Sequence, residues 1–339
     1  MTFPRRSILN MGLLLNVLTV LTVLAGAAAG LGSAAQAQTG PYPNRPIRIV
    51  VPLPPGGTVD TLGRMLSQLL KENLGQAVII DNVSGAGGTI GAGVVAKAPP
   101  DGYTLLMVYD TFAVNPHVYK KMSFDSFKDL APVMELVKIP LVLAAPAKLP
   151  ANNLKELAEL GKSRPNGINF SSGGAGSSGH LAAELLKSAM GIPMTHIPYK
   201  GGGPALMAAV SGETDITILG TLVTVPQIKA GNLKALAVLG RKRAPPLPQV
   251  ATAAEQGLSN IDISSWIGLL VPAGTPTPII ARVHQAFSAA LKNPAVLARM
   301  AEDGNEIVAS SPEQFATFLA QDSARWGKVI RDNNIQLDQ

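Results

Sequence analysis

The sequence predicts an α/β protein with two lobes, each a sheet flanked by helices, joined by a hinge of two strands. Short apolar runs alternate with helical patterns, which is typical of βαβ units and a mostly parallel sheet. Two extended, apolar, proline-terminated stretches, 135–146 and 263–276, are separated by roughly 120 residues, enough for a whole domain. A chain of 339 residues that is 47% hydrophobic is also long enough to bury two cores.

The predicted strands are apolar runs bounded by turn residues. They lie at 47–51, 77–80, 104–108, 141–145, 168–170, 194–197, 215–219, 233–238 and 265–271, and helices fill most of the gaps between them. A domain inserted between the two long stretches would be joined to its host by a double hinge, with a cleft between the lobes. We therefore expect residues 38–140 and 265–339 to form the first lobe and residues 141–264 the second.

Three helices are predicted from apolar stripes at helical spacing. The first stripe recurs at i, i+3, i+4, i+7 and i+8 and is followed by Gly75, a helix stop. The stripes are Leu62, Met65, Leu66, Leu69 and Leu70; Ile280, Val283, Phe287 and Leu291; and Phe315, Phe318, Leu319, Trp326, Val329 and Ile330. We interpret all of them as core faces without a functional role.

The N-terminus has the features of an export signal. Two arginines at positions 5 and 6 precede an apolar run from about 11 to 31, and Ala-Gln-Ala at 35–37 is a cleavage site. We expect residues 1–37 to be removed and the mature chain to begin at Gln38 in the periplasm. A retained anchor helix is the alternative, since the run is long enough to span a bilayer. Twin-arginine export ranks second because Pro4 and Asn10 fit its pattern poorly.

Composition excludes several classes of site. The chain has no cysteine, so it has no disulfide, no lipid-modified cysteine and no thiolate metal site. Loss of Arg5 and Arg6 with the signal would lower the formal net charge from +6 to +4. The basic residues are scattered and not interleaved with aromatic residues, so we expect no nucleic-acid binding. A modest positive charge suits the attraction of small anions.

Three glycine-containing loops are the main candidates for a binding site: "PPGGTVD" at 54–60, "SGAGGTIGAG" at 84–93 and "SSGGAGSSGH" at 171–180. The first and third lie between a predicted strand and a predicted helix. At such a junction the first helical N–H groups have no partner within the helix and lie at the positive end of its dipole. Glycine lets the backbone approach a ligand, so a carboxylate or phosphate is the expected guest.

Motifs for cofactors and catalysis are incomplete. Residues 174–179 match G-x-G-x-x-G, but "MTHIPYKGGG" stands where a dinucleotide site needs an acid. The weaker match at 91–96 lies inside a predicted helix, where small residues favour close packing. There is no G-x-x-x-x-G-K-[ST] loop and no G-x-S-x-G motif. The histidines, His117, His180, His196 and His284, lack metal-ligand spacing. We expect no cofactor, no metal and no enzymatic activity.

Some loop residues have a structural alternative to a ligand contact. Thr58 and Asp60 lie in the first turn of a helix, where a hydroxyl or an acid usually caps at about 1 kcal/mol. Because Asp60 would repel an anion, capping is the favoured interpretation, with exposure to the cleft as the alternative. His180 also lies in a first turn and either caps its helix or faces the cleft. His284 is expected to be a surface or core residue.

In these segments the sequence resembles the Bug-type solute-binding receptors of tripartite tricarboxylate transporters. The resemblance extends from about Tyr42 to the C-terminus and implies a type II, Venus-flytrap periplasmic binding protein. Such a receptor delivers a small organic carboxylate to a membrane permease, and we expect it to be a monomer. The matching motifs are "YPNRPIRIVVPLPPGG", "PPDGYTLL" at 99–106, "SSGGAGSSGHLAAELL" at 171–186, "HIPYKGGGPA" at 196–205, "IKAGNLKALAV" at 228–238 and "LVPAGTP" at 270–276.

The resemblance implies that loops of both lobes hold the carboxylate. The residues expected to bind it are Pro55, Gly56 and Gly57, with Thr58 and Asp60 following, in the first lobe, and Ser171, Ser172 and Gly173, with Ser177 and His180 at the helix start, in the second. Tyr199, Lys200 and Gly201 follow a strand of the second lobe and are expected to line the same cleft.

Two segments depart from the family pattern. In "MVYDTF", 107–112, Tyr109 and Asp110 stand where relatives often have small hydroxyl residues. Near Gly220 the segment "ITILGTLVTV" is apolar and small, where many relatives have an acidic or amide residue. We expect both segments to face the distal end of the ligand. They favour a guest with an apolar or aromatic body and one polar group meeting Asp110, rather than a tricarboxylate.

Two other classes of function are alternatives to a transport receptor. A signalling receptor would use the same ligand chemistry, and its closed form would contact a sensor protein instead of a permease. An exported hydrolase or oxidoreductase would need a nucleophile–base pair or a cofactor fingerprint in the cleft. The sequence lacks both of these catalytic patterns.

Overall fold

Ten strands in the described part of the chain form one continuous mixed sheet. The computed structural model describes residues 41–332, so the predicted signal peptide and its cleavage site lie outside the described residues. The strands are β1 (Ile47–Val51), β2 (Val78–Asn82), β3 (Thr104–Tyr109), β4 (Leu130–Pro146), β5 (Ile168–Ser172), β6 (Met194–Pro198), β7 (Ile216–Gly220), β8 (Leu233–Val238), β9 (Ser264–Pro272) and β10 (Glu306–Ile307). Every predicted strand is present, so the prediction from apolar runs is confirmed.

The helices follow the strands closely in the chain. They are α1 (Thr58–Leu74), α2 (Thr89–Ala96), α3 (Thr111–Val118), α4 (Leu154–Ser163), α5 (Ser178–Met190), α6 (Gly202–Ser211), α7 (Thr221–Lys229), α8 (Thr277–Leu291), α9 (Pro294–Glu302) and α10 (Pro312–Asp332), with a 3₁₀ turn at Ala86–Gly88. In α1, the stripe residues Leu62, Leu66 and Leu70 are fully buried. The helix ends before Gly75, as predicted, and Gly75 has a left-handed conformation.

Strand β4 belongs to two groups of strands and connects them. Over Leu130–Pro140 it pairs with β9, and over Leu141–Pro146 it pairs with β7 and β8. We call β2-β1-β3-β9 with the first part of β4 and β10 the first-lobe strands. The second-lobe strands are β8, the last part of β4, β7, β5 and β6. Together β4 and β9 are the hinge strands.

The expectation of a mostly parallel sheet holds only away from the hinge strands. Strands β1, β2 and β3 are parallel to each other, as are β5, β6 and β7. The hinge strands are antiparallel to each other and to their neighbours β3 and β7. The reason is topological, because one strand leaves the first-lobe group and the other returns to it.

The last helix packs against two hydrophobic cores. Phe315 and Leu319 belong to a core with Trp266 and the first-lobe strands. About two turns further along α10, Trp326 belongs to the core of the second-lobe strands, which also includes Val114 of α3. The segment predicted to belong to the first lobe therefore contributes to both cores. None of the helices in residues 41–332 is long and apolar enough to cross a membrane.

Packing of α10 against β9 makes a testable prediction. A Cβ atom at Gly268 of β9 would overlap the ring of Phe315. We expect Gly268→Ala to lower the free energy of unfolding by about 1–3 kcal/mol, because a packed core resists added volume. The measurement is urea unfolding. Gly240→Ala is the control, since a Cβ there meets nothing within 4 Å; equal stability of the two variants would contradict the predicted packing.

Candidate functional site

A small internal cavity of about 20 Å³ lies where loops of the two groups of strands meet, and it has room for about one water molecule. The first residues of four helices line it: Thr58 of α1, Thr111 of α3, Ser178 of α5 and Gly202 of α6. The other lining residues are Leu53, Gly57, Val59, Tyr109, Leu141, Gly173, Ser177, Gly179, Gly201, Ile218 and Leu219, so within the described chain no charged side chain lines this cavity. We call it the inner cavity.

Convergence of helix N-termini gives the inner cavity a positive electrostatic character without any cation. The first N–H groups of a helix have no partner within the helix, and the helix dipole adds partial positive charge there. Parallel strands that are each followed by a helix bring these N-termini to the same edge of a sheet. The arrangement is suited to hold an anion by amide and hydroxyl donors.

The first glycine loop is held by Asp60. The amide of Gly56 donates to Asp60 Oδ2 at 2.9 Å, and Arg64 lies 2.9 Å from Oδ1. Burial alone would raise the pKa of Asp60, but hydrogen bonds from Arg64, Gly56 and Asn82 outweigh it and lower the pKa. Asp60 is therefore an ionised group that fixes its own loop, as the favoured interpretation expected, and Arg64 neutralises its charge. Pro55 and Gly56 are exposed, and Gly57 lines the inner cavity.

The third glycine loop presents the start of α5. Ser177 caps this helix by accepting from the amide of His180 at 3.3 Å, and its hydroxyl donates to the Gly174 carbonyl at 2.8 Å. Ser178 Oγ is buried without a hydrogen-bond partner. A Cβ at Gly179 would overlap the carbonyl of Ile218, so the close approach of α5 to β7 requires glycine.

Three predicted site residues of this loop face the interior instead of the inner cavity. The Ser171 hydroxyl donates to the carbonyl of Ala205 at 3.0 Å. Ser172 Oγ lies 2.8 Å from His196 Nε2, and His180 stacks on His196 with 3.9 Å between ring centroids. Burial, followed by the charge of His180, lowers the pKa of His196 to about 3, so this ring is neutral.

The Ser172–His196 pair has the spacing of a nucleophile and base, but Ser172 is fully buried and outside the cavity lining. A substrate in the inner cavity would not reach its hydroxyl. In residues 41–332, no group of three or more acidic or histidine side chains is placed to hold a metal ion.

Loops from the two groups of strands touch each other across the site. A Cβ at Gly201 would lie 2.7 Å from Cδ of Pro54, and a Cβ at Gly203 would lie 2.9 Å from the carbonyl of Pro55. At Gly57, a Cβ would be 3.6 Å from the amide of Gly203. The two loops therefore meet backbone to backbone, and any side chain between them would separate them.

A second cavity of about 370 Å³, the outer cavity, shares Leu53 and Gly173 with the inner one. It is lined by the second glycine loop, residues 84–88, and by residues 173–175 and 198–200, with Tyr119. The predicted site residues Tyr199 and Lys200 lie here, whereas Gly201 lines the inner cavity. Tyr199 also donates to Glu213 at 2.7 Å, at the surface.

The segments that depart from the family pattern lie at the hinge end of the inner cavity. Tyr109 lines the cavity, and a Cβ at Gly220, the residue before α7, would lie 3.5 Å from its hydroxyl. Asp110 is 1% exposed and accepts from the hydroxyl of Ser265. Burial raises the pKa of Asp110 to about 6. The two side chains thus place a neutral phenol and a buried acid at this end of the site.

The sequence prediction omitted several lining residues. Thr111, Ser178 and Gly202 were not predicted because the loop motifs do not mark the first residue of a helix. The edge rule for parallel strands would have pointed to all three. The apolar residues of the cavity lining carry no polar signal that distinguishes them from core residues. They are Leu53, Val59, Leu141, Ile218 and Leu219.

Two lobes that share hinge strands and enclose a site at helix N-termini define a periplasmic binding protein of type II. The solved periplasmic binding protein BugD has this fold: its TM-score to this protein is 0.83, with 33% identity over 87% of this chain and 99% of BugD. The predicted fold class is therefore confirmed.

The chain belongs to the tripartite tricarboxylate transporter family of receptors, whose model matches residues 62–335. Protein BugT of Bordetella pertussis is 35% identical over 95% of this chain and 100% of BugT. A Rhodopseudomonas palustris protein, Rpa4515, solved with adipate, has a TM-score of 0.84 and 34% identity over 87% of this chain and 99% of that chain. The resemblance drawn from the loop motifs is thus confirmed.

Burial of Asp110 predicts a pH-dependent stability. Its pKa is raised in the folded state, so the folded protein binds more protons than the unfolded chain between about pH 4 and 6, and stability falls as pH rises through that range. We expect Asp110→Asn to remove this loss and to be about 1–3 kcal/mol more stable than wild type at pH 8.

The measurement is urea unfolding of both proteins at pH 8 and pH 4.5, where the advantage of Asp110→Asn should shrink. Asp262→Asn, at an exposed acid, is the control and should show no such change. If Asp110→Asn were more stable than wild type by the same free energy of unfolding at both pH values, the assignment of a buried, destabilising charge to Asp110 would be contradicted.

Proposed function

We propose that this protein captures a small organic carboxylate between its lobes in the periplasm and delivers it to the permease of a tripartite tricarboxylate transporter. The observation that carries the proposal is the convergence of four helix N-termini on a cavity without charged lining residues. Membership of the receptor family and the adipate in Rpa4515 support the choice of a carboxylate over a phosphate. In this role the protein is a carrier and not an enzyme.

The donors in the inner cavity suit reversible binding. Each helix N-terminus contributes about 0.3–1 kcal/mol to an anion, and each hydrogen bond to a charged group about 1.5–3 kcal/mol. A desolvated bidentate arginine would hold the carboxylate more tightly than a carrier needs, since the cargo must be released. Amides of Gly57 and Gly202 with the hydroxyls of Thr58 and Ser178 give moderate affinity without that cost.

We place the carboxylate in the inner cavity and the rest of the ligand toward the outer cavity. Tyr109 and Gly220 would then lie near the carboxylate and not, as expected from the sequence, at the distal end of the ligand. The two cavities share Leu53 and Gly173, so a short chain passing these residues would reach Tyr199 and Lys200. Lobes that hinge between Pro140 and Leu141 on β4, and between Ser264 and Ser265 on β9, would open this path. Closure would then be favoured by contacts that the ligand makes with both lobes at once.

The first experiment is a thermal-shift screen of the purified protein against mono-, di- and tricarboxylates, aromatic acids and acidic amino acids. A ligand that binds only the folded state raises the melting temperature in a concentration-dependent way. We expect a shift with at least one carboxylate. Shifts with phosphate or sulfonate esters alone would contradict the proposed cargo class.

Substitution at the loop contact tests where the ligand binds. Gly57 has an ordinary backbone conformation, with φ of −82°, so valine can replace it without strain. Its side chain would stand between the N-termini of α1 and α6, separate the two loops and weaken binding by at least tenfold. The chain should stay folded, because Gly57 lies in a loop outside the hydrophobic cores. Calorimetric titration gives the affinity. Gly240→Val is the control, and undiminished binding by Gly57→Val would move the site elsewhere.

Alanine variants of two serines in the third glycine loop should distinguish an effect on ligand binding from an effect on stability. Ser178 Oγ lines the inner cavity unpaired, so Ser178→Ala should weaken carboxylate binding by about 1–3 kcal/mol without destabilising the protein. Ser172→Ala should instead lower stability, because it leaves His196 Nε2 buried without its partner. Affinity and unfolding measurements on both variants check this, and the reverse pattern would show that Ser172 is the ligand contact.

A further inference from the structure

Asp110 is a buried acid that the binding mechanism above leaves without a role. It stands between Tyr109 and Thr111, both of which line the inner cavity, and it is 1% exposed. Its Oδ2 accepts from the hydroxyl of Ser265, and its Oδ1 is buried with no hydrogen-bond partner. A buried carboxylate oxygen without a partner is costly, so its retention calls for an explanation.

The Asp110 carboxylate lies at the N-terminus of α5, the same helix start that would hold a ligand carboxylate. The amide and hydroxyl of Ser178 are close enough to Asp110 to lower its pKa, although burial outweighs them. Ser178 Oγ is also buried without a well-formed hydrogen bond. Ser178, which lines the cavity, therefore lies between the cavity and the Asp110 carboxylate.

In residues 41–332, the side chains that act on the pKa of Asp110 include no cation. From β9 and α5 it is faced by the hydroxyls of Ser265 and Ser178. From α10 it experiences the negative charge of Asp322, which raises its pKa and whose own partner is Arg325. The phenol of Tyr109, on β3, is uncharged because burial raises its pKa.

An incoming carboxylate would place a second negative charge beside Asp110 in a region of low dielectric constant. Two carboxylates that share such a site do not both stay ionised, and the pair titrates as a unit with one pKa strongly raised. With its pKa already raised to about 6, Asp110 is the member of the pair that is easier to protonate.

We propose that Asp110 takes up one proton from solvent when a carboxylate enters the inner cavity, and that the acid acts on the ligand through Ser178, which lines the cavity next to Asp110. The proton binds at the Asp110 carboxylate when the Ser178 donors turn to the ligand, and it returns to solvent when the ligand leaves. This inference rests on the proposed carboxylate-binding function and adds to it a positioning residue behind Ser178. Binding is consequently tighter at lower pH.

The expected pH dependence follows from linkage. Above the pKa of the empty site, each binding event must take a proton from solution, so Kd rises by up to tenfold per pH unit. For wild type we expect Kd to increase about tenfold or more between pH 6 and pH 8. Hexanoate and adipate are largely ionised over this range, so the change reports on the protein.

The experiment is isothermal titration calorimetry with hexanoate and adipate at pH 6, 7 and 8. Each titration is repeated in two buffers of different ionisation enthalpy, which gives the number of protons taken up on binding. Wild type should take up close to one proton at pH 8. A value near zero at pH 8, with Kd independent of pH, overturns the inference while leaving the carboxylate-binding function intact.

Asp110→Asn separates a binding role from a structural one. The amide can accept from Ser265 and donate to Ser178 Oγ as the protonated acid would, but it carries no charge. We expect this variant to bind at pH 8 with a Kd at least tenfold lower than wild type and without proton uptake. Weaker binding by Asp110→Asn at every pH would overturn the inference.

Asp303→Asn is the matched control, because Asp303 is also 1% exposed, has a raised pKa and lies outside the lining of both cavities. Asp303→Asn should keep the pH dependence of Kd and the proton uptake of wild type. Loss of either property in this variant would contradict the assignment of proton uptake to Asp110. If neither hexanoate nor adipate binds at any pH, and no carboxylate raises the melting temperature in the thermal-shift screen, the carboxylate-binding function itself fails and this inference fails with it.

Discussion

Backbone N–H groups that open a helix and lie away from bulk water need a partner, and this requirement organises the centre of the molecule. Thr58, Thr111, Ser178 and Gly202 each begin a helix at one inner cavity, because each follows a strand or its short loop at the carboxyl edge of the sheet. The neighbouring glycines have no side chains, so the helix N-termini remain accessible from the cavity. The apolar wall of Leu141, Ile218 and Leu219 then concentrates the partial charges by excluding water.

Two aspartates beside these helix N-termini have different roles because their hydrogen-bond and charge partners differ. Asp60 has Arg64 and the amide of Gly56 as partners, so its negative charge is neutralised and it serves the loop. Asp110 has the hydroxyls of Ser265 and Ser178, the amide of Ser178 and a neighbouring acid, so its charge is held at a cost. In the first case the acid supports the loop, and in the second it lies behind a helix start that lines the cavity.

Much of this architecture was predictable because periodicity and turn residues are local signals. The strands, the stripe of α1 and its stop at Gly75 followed from them, as did the role of the glycine loops. Side-chain direction at the end of β5 was not predictable in the same way. Ser172 turns toward His196 because β5 and β6 pair in a register that sets Phe170 beside His196, and that pairing is known only from the sheet. Residues 130–134 of β4 and the two-residue β10 lie outside the predicted apolar runs, so only the tertiary pairing reveals them.

The packing of α10 against both cores gives the molecule a third tether beside its two hinge strands. Phe315 and Leu319 anchor one half of the helix, and Trp326 anchors the other. A Cβ at Gly327 would lie 2.5 Å from the ring of His117, so this side chain of α3 packs directly on the backbone of α10. Opening of the lobes would then be a shear along this helix as well as a bend of the strands, since one of its halves must slide over a packed core. The rate of ligand release would then depend on how fast the side chains between α10 and the two cores repack. These side chains do not line the inner cavity.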